Sequence, residues 1–273
     1  MRRLATIGIG LALASSCKPK CADPGDDPAG IDAPTLERMK TEASKNPSFC
    51  SELQPARVSL TGADLTLTGP AGVRNLAKRE DLPSAETKRV TALYDRLKKY
   101  RELWKQLRPE KDFPGNVDLS FDPSLESDRA FSVLYTAAFA GYPNVRLTTG
   151  SITLDFAAFV PTPKQEGRTL VIAPEDAASF VMRLRDSATC EDVAEKTLAK
   201  NDTLGPLVAQ VCTGKTPCAD VILIHTRANA RIVDIAPILR DVLAGYPSAP
   251  QPPRIGLRTG PVRPCTKADS SFD

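Results

Sequence analysis

Ala140-Gly141-Tyr142-Pro143 recurs as Ala244-Gly245-Tyr246-Pro247, 104 positions further along the chain. Four residues alone would be coincidence. The same ungapped shift, however, lays Val117, Leu119 and Phe121 onto Val221, Leu223 and His225, and Phe131, Leu134 and Phe139 onto Ile235, Ile238 and Leu243. It also lays residues 65–70 onto 169–174 and Val90 onto Ala194. After the shared Tyr-Pro the second copy carries a Pro-rich insertion, and both copies then end alike, in Leu147-Thr148-Thr149-Gly150 and Leu257-Arg258-Thr259-Gly260. Self-similarity at a fixed long period marks a structural unit used more than once. The join falls near Gly150.

Working outward, each copy is expected to alternate short strands with helices. In the first, residues 58–68 form two alternating β runs broken at Gly62-Ala63, the pattern of a hairpin. Pro83-Ser84 opens a helix in which Val90, Leu93, Tyr94, Leu97, Tyr100, Leu103, Trp104 and Leu107 share one face, and Pro109 stops it. Residues 116–121 alternate as a strand, 126–140 form a helix closed by Gly141, and 144–149 form a last strand. In the second copy 152–160, 169–173 and 179–185 are expected as strands and 191–200 as a helix. Gly205-Pro206 is expected to break or kink the next helix, and strand 221–226 and helix 232–244 follow. The expected class is α+β: two tandem two-layer modules, each a small mixed sheet with two helices on one face in the order β-β-α-β-α-β. The division runs 1–16 leader, 17–55 linker with a short helix, 56–150 first module, 151–262 second module and 263–273 tail.

Composition bounds the function. The 273 residues carry a net charge of +3, with basic residues scattered rather than gathered into a stripe, so nucleic acid is not an expected partner. Met1-Arg2-Arg3, the apolar run 4–14 and the small Ser15 and Ser16 match a secretory signal peptide, and the run is too short to span a bilayer. Cys17 follows directly and is the favoured site of lipidation, with Lys18 beside it fitting outer-membrane sorting. Plain cleavage after Ala12-Leu13-Ala14 is the alternative. The other six cysteines, Cys21, Cys50, Cys190, Cys212, Cys218 and Cys265, are an even set suited to disulfides in an oxidising compartment, and their pairing is open. The expected location is periplasm-facing, held to the membrane by lipid only.

The order of features resembles the periplasmic domain of the ExbD/TolR family of biopolymer transport proteins, stator partners of proton-driven envelope motors. A hairpin, an amphipathic helix, the strand Val117-Asp118-Leu119-Ser120-Phe121-Asp122, a helix ending in Gly141 and the strand Val145-Arg146-Leu147-Thr148 carry the likeness. The family's Asp at the strand end is met by Asp122, while the second copy has Thr226 there. Family members carry an ionisable residue in a membrane helix, and run 4–14 has none, so the resemblance implies the fold and envelope contacts rather than proton transport. The expected partners are envelope proteins of a motor or transport complex, with peptidoglycan as a further candidate.

Catalytic chemistry is not expected. No nucleophile elbow, H-E-x-x-H or phosphate loop occurs, and His225, the one histidine, lies on an apolar strand. No C-x-x-C occurs, so neither a metal nor a cofactor is expected. The candidate binding residues are Asp122, Tyr142 and Tyr246. The reading is a non-catalytic envelope scaffold or binding protein; the alternative is a protein that binds peptidoglycan or a small ligand between its two modules.

Overall fold

The computed structural model describes residues 33–45, 56–69, 72–84, 86–159, 167–174, 179–187, 189–199, 202–212, 219–227, 229–246 and 254–259. The leader and Cys17 lie outside them, as do Cys21, Cys50, Cys218, Cys265 and the tail. The first half holds α1 (Ala33–Lys45), β1 (Ala56–Leu60), β2 (Asp64–Gly69), β3 (Gly72–Lys78), α2 (Thr91–Leu107), β4 (Asn116–Phe121), α3 (Ser127–Phe139) and β5 (Asn144–Thr149). There follow β6 (Ile152–Ala158), β7 (Arg168–Pro174), β8 (Ser179–Asp186), β9 (Asp192–Ala199), α4 (Leu204–Cys212), β10 (Val221–Thr226), α5 (Ile232–Gly245) and β11 (Arg254–Thr259).

The two expected small sheets are one. All eleven strands lie in a single mixed sheet, ordered β3-β2-β1-β4-β5-β6-β11-β10-β7-β8-β9. On either side of β6 the connectivity repeats. β1 and β7 each pair antiparallel with the next strand to make a three-stranded meander, and parallel with β4 or β10. β4 and β10 in turn pair parallel with β5 and β11. The merger comes from β6, expected to open the second copy beside β7. It instead turns back at Gly150 to pair antiparallel with β5 over six residue pairs, and meets β11 in parallel over two.

The halves also touch through their helices. Ser127 N–H donates to Ala230 O at 2.8 Å and Ile232 N–H donates to Leu125 O at 2.9 Å, with Glu126 bridging Arg231. Exchanging each residue for the one 105 positions away turns the first of these bonds into the second, so a local two-fold relates the segments. The last pairs of the two parallel ladders, Phe121–Thr149 and Thr226–Thr259, put the same 105 between β4 and β10. The ungapped shift of 104 is therefore one residue out in these strands, and a one-residue slip moves every side chain to the other face. Thr226, not His225, stands in the place of Phe121, and Arg227 stands in that of Asp122.

One continuous apolar core lies between sheet and helices, drawing on alternate strand residues such as Val117, Leu119, Ile222 and Ile224, and on all five helices. α2 buries Leu93, Leu97, Tyr100, Leu103, Trp104 and Leu107, the face its sequence spacing predicts, but starts at Thr91 rather than at Pro83. Three other expectations need correction. β3 was not foreseen, and the first half opens with three strands rather than two. Residues 192–199 form edge strand β9, not a helix: cross-strand ion pairs Arg183–Glu195 and Arg185–Asp192, both 2.8 Å, reward pairing with β8 over the segment's own helix-favouring composition. Gly205-Pro206 does not break a helix. It lies in the first turn of α4, where a proline's missing N–H has no helical partner to lose.

Candidate functional site

In open α/β sheets, ligands are held outside the carboxyl ends of parallel strands, where the chain turns into helices. β7 and β10 end together here, at Pro174 and Thr226, and the chain beyond Thr226 rises into α5. Between these strand ends, β8, α4 and α5 lies a cavity of about 500 Å³. Its apolar wall includes Pro174, Phe180, Leu204, Ile235 and Ile238, and its charged groups are Asp202, Arg227, Asp234 and Asp241, with the polar Thr203, His225, Thr226 and Asn229 beside them. The volume lies in the range that holds a metabolite-sized ligand.

The wall between α4 and α5 depends on two glycines. A Cβ on Gly245 would overlap the Gly205 backbone, and one on Gly205 would stand 3.0 Å from the Asp241 carbonyl oxygen. The helices therefore touch backbone to backbone, and Leu204, Ile238 and Asp241 line the same cavity. Gly245 belongs to the repeated tetrapeptide, yet its counterpart Gly141 is needed for another reason. Gly141 has φ +97 and closes α3 in the left-handed conformation. The shared motif thus meets two separate steric demands.

Most polar groups around the cavity already have local work. Thr226 Oγ lies 3.1 Å from Ser127 Oγ, joining the cavity floor to the first half. Asp234 accepts from Arg231 N–H at 3.4 Å at the start of α5, and Asp202 accepts from Ala199 N–H at 2.9 Å. Asp241 stands 3.5 Å from Arg240 Nε. The first N–H groups of α5 are consumed too, Ile232 by Leu125 O and Val233 by Pro123 O, so this helix start has no spare donors there for an anion. His225 is buried and has a partner of its own. The site has the form of a recess with an acidic border, not of a carboxylate pair sharing a proton.

The chain matches no protein-family model and no curated protein. The three binding candidates named from sequence do not meet at this cavity. Asp122 accepts from both the hydroxyl and the N–H of Ser124, at 2.6 and 2.8 Å, and these bonds hold its carboxyl below the usual range as they shape the turn after β4. Tyr142 is 1% exposed, its ring meets Phe113 edge-on, and its hydroxyl donates to Leu97 O at 3.2 Å. Tyr246 is half-buried and donates its hydroxyl to Ala219 O just ahead of β10. Both tyrosines tie the end of a helix to neighbouring backbone.

Cys190, at the β8–β9 turn with φ +64, is disulfide-bonded. Cys212 falls in α4, but its side chain lies outside the described residues. Among the described residues no helix is long and apolar enough to cross a membrane, and no group of three His, Cys, Asp or Glu side chains is placed to hold a metal ion. Sequence reading passed over Asp202, Asp234, Ile238 and Asp241. The available signal was the spacing of the last three on α5, steps of four and three that put them on one helical face.

Proposed function

We propose that this protein is a binding protein of the cell envelope whose ligand site is the cavity at the carboxyl ends of β7 and β10. The carrying observation is that cavity itself: about 500 Å³, with one apolar wall and converging polar groups, at the strand ends where this class of sheet holds ligands. It is built largely by the second half, so the ligand would sit beside the junction of the halves rather than between two modules. Docking of motor-complex proteins by strand addition would use outer strands β3 and β9. β9, however, carries Lys196 and is flanked by the Arg183 and Arg185 ion pairs, features that guard an edge. The cavity is the better-supported site.

The test uses N-phenyl-1-naphthylamine, a neutral apolar fluorophore. Its emission should rise saturably on mixing with the protein, and Ile238→Trp should abolish the rise with little change in the unfolding midpoint, whereas Val73→Trp on the exposed β3 should leave it intact. An enhancement that survives Ile238→Trp rules the cavity out. The envelope setting rests on the leader and Cys17. Cells fed labelled palmitate should label the protein, and Cys17→Ser should remove the label. Equal labelling of both forms would overturn lipidation at that residue.

A further inference from the structure

The surface where α2 meets α3 carries an aromatic group that packing does not require. Tyr94 of α2 stands 5.7 Å from Phe139 of α3, ring centre to ring centre, and Tyr135 stacks on Phe139 at 5.7 Å. The Arg89 guanidinium lies 4.7 Å from the centre of the Tyr94 ring and 5.8 Å from that of Phe139. Phe139 is 42% exposed, whereas the other apolar residues of α3, Tyr135 apart, are buried. At the offset of 105 that relates α3 to α5, Tyr135 and Phe139 correspond to Arg240 and Ala244, so the matching helix of the second half does without rings at these outward positions.

Positive charge gathers at the same place. α2 holds five basic and two acidic residues, a net +3 that equals the charge of the whole chain. Basic residues that look scattered along the sequence thus share one helix. Lys98, Arg101 and Lys105 follow Tyr94 by four, seven and eleven positions, on its side of α2. Arg101 lies against Gly141 at the end of α3, and Glu102 is 3.9 Å from Lys98, at the limit of an ion pair. α1, which leads the chain from Cys17 into the fold, packs against α2 as well. A lipid at Cys17 would therefore tether this flank of the molecule rather than the β9 edge.

We propose that this face of α2 and α3 is a membrane-contact surface that takes anionic phospholipid headgroups. Rings with one apolar end and one wet end, bordered by Lys and Arg, suit the boundary between water and hydrocarbon. The cations among them are drawn to the negative surface of the bilayer. A sugar platform would need an open ring face, and here Arg89 already lies over Tyr94 and Tyr135 over Phe139. The surface is separate from the cavity, so its failure would leave the cavity reading untouched.

The test is co-sedimentation of the exported chain, residues 17–273, carrying Cys17→Ser so that no acyl group forms. The vesicles are phosphatidylcholine alone or phosphatidylcholine with about 30% phosphatidylglycerol. The protein should pellet with the anionic vesicles and not with the neutral ones. Each cation near such a surface raises partitioning by about fivefold, so Lys98→Ala with Lys105→Ala should cut it about 20-fold. Phe139→Ala should cut it by about fivefold or more, with the circular dichroism of the folded chain retained. Lys196→Ala, on the far edge strand β9, should leave it unchanged. Equal pelleting with both vesicles, or with neither, overturns the proposal. So does anionic binding that survives the Phe139 and Lys98–Lys105 variants, or that falls as far in Lys196→Ala. Release from the anionic vesicles by chitohexaose would assign the rings to a sugar chain and overturn it too.

Discussion

Gly245→Ala is expected to cost roughly 3 kcal/mol or more of folding stability, the upper end of what overpacking a fitted contact does. Its sign is the informative part. Removing a glycine from an unconstrained helix interior stabilises it by up to about 1 kcal/mol, because alanine leaves the unfolded chain less freedom to lose. Here the new methyl would have to enter the backbone of Gly205, which cannot move aside as a side-chain tip can. α4 and α5 must separate, and the wall of the cavity goes with them. Gly205→Ala should be milder, since its Cβ would meet the Asp241 carbonyl at 3.0 Å, while Gly62→Ala has no heavy atom within 4 Å and serves as the control. Denaturant midpoints in the order Gly62→Ala, Gly205→Ala, Gly245→Ala, highest first, are expected. A Gly245→Ala protein as stable as the control would mean that the helices do not touch as described.

Tyr142→Ala should be comparably severe, about 3–5 kcal/mol, as for other buried aromatics cut back to alanine. Tyr142→Phe keeps the ring against Phe113 and leaves the Leu97 carbonyl without this hydroxyl, so about 1 kcal/mol is expected. Burial pushes the Tyr142 hydroxyl above its ordinary value of 10.0. The group stays protonated when folded and ionises when unfolded, so from about pH 10 upward the unfolded state binds fewer protons and stability falls. Tyr142→Phe should remove part of that alkaline loss, measured as unfolding free energy from pH 8 to 11. Unchanged stability at neutral pH in Tyr142→Phe would return this residue to the ligand candidates.

These expectations show what could be read from the chain alone. The face of α2 was legible because its apolar residues recur at helical spacing over 17 residues and are buried by simple packing. The repeat was legible only in the order of its elements, since the apolar match at 104 is one residue out in β4 and β10. The union of the halves was not, because strands 152–158 and 254–259 carry no local mark of which strand lies beside them. β9 was misread for a related reason: Ala194, Glu195, Lys196 and Leu198 favour a helix in isolation, and only Arg183 and Arg185 on the neighbouring strand make them a β edge. The tyrosines drew attention because they repeat, but a repeated residue can be repeated for packing. The cavity's own residues come from β7, β8, β9, β10, α4, α5 and the connections between them, a convergence that exists only once the chain has folded.

Strand β6 has a consequence for how this protein can be taken apart. It supplies the main-chain partners of β5 along its length and those of β11 at one end. Cut from β6, the first half would present along β5 a fresh row of unsatisfied amide and carbonyl groups beside an apolar surface, a template for joining other chains, while the second half would lose its partners only at the start of β11. Seven residues thus keep the β5 border from becoming sticky, and the first half is not suited to life as a separate soluble fragment without them.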